Sequence, residues 1–176
     1  MDLAPYTVIP SNTSLIRPRS VRVSGRVIYA WKTAPRHMPT SRYTNAQKNG
    51  RRYEKKIGTR LLSALPSIEL SPWFEFDSSL GLGRLCQPDA ILVGEKELTI
   101  FEIKYSHCLE AFWQLSDLYY PVLSSFVDHP NIRLVEIVRS FDPSIQFPIP
   151  INLHLDLDSI LSMPFASDRI HVLPWK

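Results

Sequence analysis

Two apolar segments joined by a very short connection constrain this chain most strongly. Residues 87–93 (QPDAILV) and 98–104 (LTIFEIK) are β-type segments, and only the four residues 94–97 separate them. So short a connection predicts an antiparallel hairpin. Both segments are apolar on each face over most of their length, which is typical of a sheet covered on both sides. The hairpin therefore predicts a layered α/β domain.

Two helical patterns flank the hairpin and would supply the covering layers. In residues 45–65, apolar side chains recur every four positions from Tyr53 onward, and Pro66 ends the run. Residues 108–127 show a second helical pattern, in which Pro121 either kinks the helix or starts a new one. The predicted fold is therefore α/β, with a small mixed central β-sheet flanked by helices.

Further strand patterns lie outside the hairpin. Residues 68–76 alternate well enough to predict a strand, with Pro72 at an edge or a bulge, and residues 77–83 are predicted to form a turn. Residues 132–140 predict another strand. The alternation in residues 151–161 predicts one more strand, with a polar outer face.

These patterns divide the chain into three parts. Residues 1–44 form a basic N-terminal extension, in which the β-rich segment 21–31 could fold into a small hairpin at Ser24-Gly25. Residues 45–140 form the core. Residues 141–176 are predicted to add a C-terminal strand and an extension that packs on this core.

The composition excludes several classes of protein. Charged residues make up 21% and hydrophobic residues 44%, which excludes a mainly disordered chain. Two cysteines, Cys86 and Cys108, cannot build a disulfide scaffold and favour an unoxidised setting. No apolar run approaches the roughly 18 residues of a membrane helix, and the first residues lack a signal-peptide pattern. We expect a cytoplasmic protein (in the host cytoplasm if phage-encoded) with no membrane partner.

The net charge of +3 hides a strong asymmetry. Residues 1–60 hold 13 Lys and Arg against two acids, a charge of +11, whereas the remainder holds seven against 15, a charge of −8. A basic arm on an acidic body suits a polyanionic partner, because Lys and Arg bind phosphates and release counterions. An unevenly charged but ordinary solvated surface is the alternative.

The hairpin also carries the residues that point to chemistry. A symmetric four-residue turn puts Val93 opposite Leu98, and the same register puts Asp89 opposite Glu102. Lys104 lies two residues beyond Glu102 and so projects from the same face. Facing carboxylates in an apolar hairpin should repel each other. The alternative is a structural Glu–Lys pair at a strand end, with Asp89 in a turn.

A divalent cation would offset this repulsion. Mg²⁺ is typically held by one or two carboxylates together with phosphate oxygens of a substrate. The backbone carbonyl of Ile103, between the two side chains, would be a further oxygen ligand. The ammonium of Lys104 could orient a water molecule or stabilise charge on a phosphoryl group.

The arrangement of these residues resembles the PD-(D/E)xK nuclease superfamily. The matching residues are Pro88-Asp89, twelve intervening residues, and Glu102-Ile103-Lys104, and the resemblance covers roughly residues 50–140. It implies a restriction-endonuclease-like core, Mg²⁺ as the cofactor with Mn²⁺ able to substitute, and products with 5′-phosphate ends. Asp89 and Glu102 would be metal ligands, and Lys104 would be the catalytic lysine.

Two further residues follow from the same resemblance. Many members place an acid from the preceding helix in the metal site, and Glu54 is the only acid in residues 45–65. A surface glutamate in a salt bridge is the alternative for Glu54. RecB-like members carry a QxxxY pattern on the following helix, where this chain has Gln114, a candidate substrate contact. The chain departs from that pattern, since its tyrosines follow Gln114 after five and six residues.

The predicted function is that of a metal-dependent nuclease that hydrolyses DNA phosphodiester bonds, with endonuclease activity favoured over exonuclease activity. Basic residues of the arm and the first helix would contact the DNA backbone: Arg36, Arg42, Lys48, Arg51, Arg52, Lys55 and Lys56. A homodimer is one option for the assembly. The compact size suggests a phage or mobile-element nuclease.

The main alternative function is a nucleic-acid-binding or assembly module that keeps the nuclease fold without cutting. A transposon-end-cutting subunit that resembles the TnsA family is a further option within the enzyme class.

Overall fold

A computed structural model describes residues 23–29, 43–78, 81–126, 131–163 and 169–176. These residues form two β-sheets with helices packed against them, so the mixed α/β class expected from the sequence is confirmed. The strands, in chain order, are β1 (Val23–Tyr29), β2 (Glu69–Leu70), β3 (Phe74–Ser78), β4 (Gly81–Cys86), β5 (Ala90–Val93), β6 (Glu97–Ser106), β7 (Asn131–Ser140), β8 (Ile151–Leu153) and β9 (Ile170–Pro174).

The main sheet has six strands in the order β2-β5-β6-β7-β9-β8. Strands β2, β5 and β6 are antiparallel neighbours, whereas β6, β7, β9 and β8 run parallel, so the sheet is mixed. The β5–β6 hairpin has the predicted register, with Val93 opposite Leu98 and Ala90 opposite Phe101.

Both faces of the main sheet are covered, as the apolar strands predicted. One face packs against a core that includes Leu98, Ile100 and Leu115. The other face packs against the helix α1 (Asn45–Ala64), through a core that includes Ile57 and Phe101. Burial of apolar side chains on both faces explains why β6 and β7 are long and almost continuously apolar.

The helix α1 follows the predicted boundaries closely. Thr44 caps its N-terminus, because the Thr44 side chain accepts from the Gln47 amide at 3.2 Å. The Gln47 side chain accepts from the Thr44 amide at 2.9 Å, which completes a capping box. The stripe of Tyr53, Ile57 and Leu61 is buried against the sheet.

The second predicted helix is a continuous helical segment with a wider turn in its middle. It consists of α2 (Leu109–Phe112), a π-helical stretch (Trp113–Tyr119) and α3 (Tyr120–Phe126). Pro121 lies just after the π-helical stretch, where its missing backbone donor interrupts the hydrogen-bond ladder of the continuous segment. Such π-helical stretches are frequent at functional sites.

The smaller sheet, in the order β1-β3-β4, is formed partly by residues for which the sequence predicted something else. The prediction of one strand over 68–76 was wrong, because Ser71 adopts a positive φ of 51° and redirects the chain from β2 into β3. The turn predicted over 77–83 was too long, since β3 extends to Ser78, β4 begins at Gly81, and these two residues pair in an antiparallel ladder.

The hairpin expected at Ser24-Gly25 is absent, because Val23–Tyr29 forms a single strand. This strand pairs with β3, and its register shifts between Val23 and Val27. The predicted turn at Ser24-Gly25 is therefore replaced by a β-bulge-like shift in register within β1.

The predicted strand over 151–161 was wrong for most of its length. Only Ile151–Leu153 is a strand, and the helix α4 (Leu157–Ser162) follows it, with Asp156 as the N-cap accepting from the Ser159 amide at 2.7 Å. The last strand, β9, inserts between β7 and β8, so the C-terminal part contributes two strands to the main sheet. No described helix has the length and apolar character needed to cross a membrane.

Candidate active site

The end of the β5–β6 hairpin holds Asp89 in a fixed position. Asp89 lies one residue before β5, at the position that continues the ladder toward Glu102. Its Oδ2 accepts from the Ile103 amide at 2.6 Å, and its carbonyl oxygen accepts from the Ser71 amide at 2.8 Å. The turn at Ser71 therefore helps to hold the aspartate against β6.

Glu102 and Lys104 project together from β6, as their spacing predicted. The Lys104 Nζ lies 2.8 Å from the Glu102 Oε1, and the Glu102 side chain is only 2% exposed. The other oxygen, Oε2, is buried and has no hydrogen-bond partner within the described part of the chain. A buried carboxylate oxygen without a partner is costly, because its desolvation is not compensated.

The electrostatics of the two carboxylates confirm that they interact. Burial, followed by the charge of Asp89, raises the pKa of Glu102 to about 8. Burial, followed among the raising causes by the charge of Glu54, raises the pKa of Asp89 to about 6. Burial lowers the pKa of Lys104, but the charge and hydrogen bond of Glu102, together with the charges of Glu110 and Asp89, raise it by more, so this pKa lies above its usual value. The site therefore resists holding two negative charges without a compensating cation.

Glu54 is half-buried on α1 and lies close enough to Asp89 to influence its pKa. In the described residues, however, no three side chains of His, Cys, Asp or Glu converge to form a metal-holding group. Asp89 and Glu102 are therefore a facing pair with Glu54 nearby. The contact described for the Ile103 backbone is the hydrogen bond that its amide donates to Asp89. The role of its carbonyl oxygen as a metal ligand stays a prediction.

Gln114 and Tyr119 face the same site from the π-helical stretch. The Gln114 Nε2 lies 3.4 Å from the Tyr119 hydroxyl, which in turn donates to the carbonyl oxygen of Gln87 at 3.0 Å. A π-helix bonds residues five apart, so it aligns two side chains that an α-helix would separate. The π-helical turn therefore brings Gln114 and Tyr119 together although they are five residues apart. The Tyr119 hydroxyl also lies near Glu102, but its proton is donated to the Gln87 carbonyl oxygen, which leaves the Glu102 Oε2 without a donor among the described residues.

One polar pair beside the site was missed by the sequence analysis. Glu136 of β7 pairs with Glu102 of β6 in the parallel ladder and is fully buried. Its Oε2 lies 2.5 Å from the Nδ1 of His107, and its Oε1 accepts from the Cys108 amide at 3.4 Å. The available signal was a single glutamate in the apolar run LVEIV, which parallels the single glutamate of IFEIK.

The basic residues expected to bind DNA are only partly within the described ranges. Lys48, Arg51, Arg52, Lys55 and Lys56 are all exposed on α1. Arg36 and Arg42 lie outside the described residues. The structure therefore presents five cations on α1, which packs on the Phe101 face of the main sheet, opposite to the face from which Glu102 and Lys104 project.

Comparisons of the sequence with protein-family models and with curated proteins, and of the fold with solved structures, find no match.

Proposed function

We propose that this protein is a metal-dependent nuclease that hydrolyses DNA phosphodiester bonds, with a core of the PD-(D/E)xK kind. The observation that carries the proposal is the buried, unpartnered Oε2 of Glu102 beside Asp89. A site that only stabilised the fold would have no physical reason to bury this carboxyl oxygen without a hydrogen-bond partner.

The donor set fits a hard divalent cation. Asp89 and Glu102 supply carboxylate oxygens, the ligand type that Mg²⁺ and Mn²⁺ accept, and because burial raises the pKa of both groups, a bound cation would stabilise their ionised forms. Two protein carboxylates are sufficient, because Mg²⁺ usually keeps waters and shares substrate phosphate oxygens. When bound, the ion would activate a water for in-line attack and neutralise the leaving oxygen. Glu54 is close enough for its charge to raise the pKa of Asp89, so it would add to the negative potential that attracts the ion.

The remaining side chains have roles that their positions support. Lys104 is held by the Glu102 Oε1 and is 21% exposed, so its ammonium can reach a bound phosphate from the edge of the site. Burial, followed by the Glu102 carboxylate, raises the pKa of Tyr119, so its hydroxyl remains a donor. By bonding the Gln87 carbonyl oxygen, Tyr119 fixes the backbone directly before Pro88-Asp89.

The architecture supports a restriction-endonuclease-like core. A helix precedes the β5–β6 hairpin, and a helix then leads from β6 to the parallel strand β7. The hydrogen bond between Gln114 and Tyr119 supports a pairing like that of the QxxxY pattern, because the π-helical stretch brings residues five apart together.

The rival is a binding or assembly module that keeps this fold without cutting. Such a module needs the cations of α1 but not the unpartnered carboxylate. The rival therefore predicts nucleic-acid binding that is insensitive to substitution of Glu102 and Lys104.

A cleavage assay with matched controls from the same hairpin tests the proposal. Supercoiled plasmid, linear duplex, single-stranded DNA and a four-way junction are incubated with Mg²⁺, Mn²⁺ or EDTA. Glu102→Gln and Lys104→Met should each lower the cleavage rate by about a hundred-fold or more. Glu95→Gln and Lys96→Met, both exposed in the turn, should cut like the wild type.

Metal-independent cutting, or equal rates in all five proteins, would refute the proposed site. Absence of cutting on every substrate, with DNA binding retained by all variants, would support the binding module. The preferred substrate separates an endonuclease from an exonuclease.

A further inference from the structure

Three neighbouring parallel strands end in an aromatic–arginine rim, formed by Tyr105, Arg139 and Trp175. The ladder pairs Lys104 with Val138 and Ser106 with Ser140, so Tyr105 lies beside Arg139. The Trp175 amide donates to the Val138 carbonyl oxygen at 2.7 Å, which places Trp175 on the far side of Arg139. The carboxyl ends of parallel strands are where ligands bind in open α/β sheets.

Contacts within the rim and to α1 hold its rings in place. The Arg139 guanidinium carbon lies 5.0 Å from the centre of the Tyr105 ring, and Arg139 also donates to the Tyr105 hydroxyl. Tyr53 of α1 meets Tyr105 edge-on at 6.0 Å and donates to the Trp175 carbonyl oxygen at 2.5 Å. Arg60 lies 4.3 Å above the Trp175 ring. The rim is therefore preorganised.

The rim combines exposure with positive charge. Tyr105 is 36% exposed, and Arg139 is exposed. Within the described ranges, no carboxylate side chain forms a salt bridge with Arg139 or with Arg60, although Arg60 donates to the Lys176 main-chain oxygen. The exposed cations of α1 belong to the helix that supports the rim. Aromatic rings combined with cations that lack acidic partners are suited to a nucleic-acid strand.

The rim also adjoins the candidate active site. Tyr105 directly follows Lys104 on β6, so the two side chains leave opposite faces of the same strand end. A strand whose phosphate contacts Lys104 can thus continue over the edge of the sheet toward Tyr105. In an intact duplex the base faces are already stacked, whereas an unpaired base has a free face for an aromatic ring or a guanidinium.

We propose that the aromatic–arginine rim binds unpaired bases of single-stranded DNA next to the scissile phosphate. This inference rests on the proposed nuclease function and deepens it, because it names single-stranded or frayed DNA as the substrate class.

Binding in EDTA tests the rim separately from catalysis. Fluorescence anisotropy measures the affinity for a labelled single strand of roughly 20 nucleotides and for the matching duplex. Tyr105→Leu keeps apolar volume but removes the ring, and should weaken single-strand binding about ten-fold while duplex binding is unchanged. Tyr105→Phe keeps the ring and should bind like the wild type. Tyr120→Leu is the matched control, because Tyr120 is also 36% exposed but lies on α3.

Each outcome decides one of the two proposals. The proposal for the rim would be overturned if Tyr105→Leu bound single-stranded DNA like the wild type, or if it lost affinity equally for single strand and duplex. An equal loss of single-strand affinity in Tyr120→Leu would also overturn it. A selective single-strand loss in Tyr105→Leu would support it even if the wild type cut nothing, in which case only the nuclease proposal would fail. Thermal melts of the three variants ensure that folded proteins are compared.

Discussion

Glu102 and Glu136 occupy paired positions on neighbouring parallel strands, and both are almost fully buried, yet their surroundings differ. Both oxygens of Glu136 have donors, from His107 and from the Cys108 amide. Glu102 has Lys104 on one oxygen, while the other has no partner in the described residues. Glu136, with both oxygens bonded, ties the start of α2 to the sheet, whereas the unbonded oxygen of Glu102 is the one that we propose binds the metal ion.

The largest expected effect on folding is at Glu136. Glu136→Ala removes the partner of the buried His107 and of the Cys108 amide, and should lower the free energy of unfolding by about 3 kcal/mol. Urea denaturation followed by circular dichroism measures this change. Glu102→Gln should destabilise the metal-free protein much less, because the neutral amide resembles the protonated carboxyl group that the raised pKa favours. Equal destabilisation by the two substitutions would contradict the comparison.

The pH dependence of stability should sharpen the same contrast. The folded pKa of Glu102, about 8, lies above its ordinary value of 4.5, so the folded protein holds a proton that the unfolded chain releases. Metal-free stability should therefore be highest below about pH 4.5 and fall as the pH rises toward 8.

Mg²⁺ should reverse this fall, because the ion replaces the proton. Stabilisation by Mg²⁺ should therefore grow over the same pH range in the wild type, as measured by thermal melts. In Glu102→Gln, both the pH dependence from this group and most of the response to Mg²⁺ should be lost. An unchanged pH slope in this variant would assign the slope to other groups.

A smaller effect of opposite sign is expected at a polar pair on the α1 face of the main sheet. The His154 Nε2 and the His171 Nδ1 lie 2.8 Å apart, and burial, followed by the charges of His154 and Arg133, lowers the pKa of His171 to about 4. This pair should therefore lose stability as the pH falls from about 6.5 to 4. His171→Asn should reduce that loss in thermal melts without changing the response to Mg²⁺. A changed Mg²⁺ response would link the two regions.

The smallest effect is expected at Tyr119. Tyr119→Phe removes the hydroxyl that holds the Gln87 carbonyl oxygen ahead of Asp89, and should slow cleavage about ten-fold with little change in substrate affinity. Single-turnover kinetics separate the two quantities. A change confined to the KM would instead assign Tyr119 to substrate binding.

The sequence predicted the hairpin register well, because the short symmetric turn and the two-sided burial leave little freedom for slippage. The spacing of Glu102 and Lys104 predicted their shared face, and the Glu102–Lys104 contact confirms it. The positions of Asp89 and Glu102 thus followed from local rules. Their proposed role in binding metal stays a prediction.

The remaining features depend on contacts that local patterns do not encode. The redirected chain at Ser71 places β2 and β3 in different sheets, and β9 inserts between two earlier strands. The alternation in 151–161 fits a strand, yet the Asp156 cap and the burial of Leu157 and Ile160 favour a helix. The π-helical stretch that aligns Gln114 with Tyr119 has no reliable sequence signal.

Direct measurement of metal binding tests the difference between the two glutamates most clearly. Mn²⁺ binding is followed by electron paramagnetic resonance in the wild type, Glu102→Gln and Glu136→Gln, with near-ultraviolet circular dichroism to verify folding. The account predicts that Glu102→Gln weakens Mn²⁺ binding by at least about ten-fold, while Glu136→Gln binds like the wild type. Unchanged binding in Glu102→Gln, or an equal loss in folded Glu136→Gln, would contradict it.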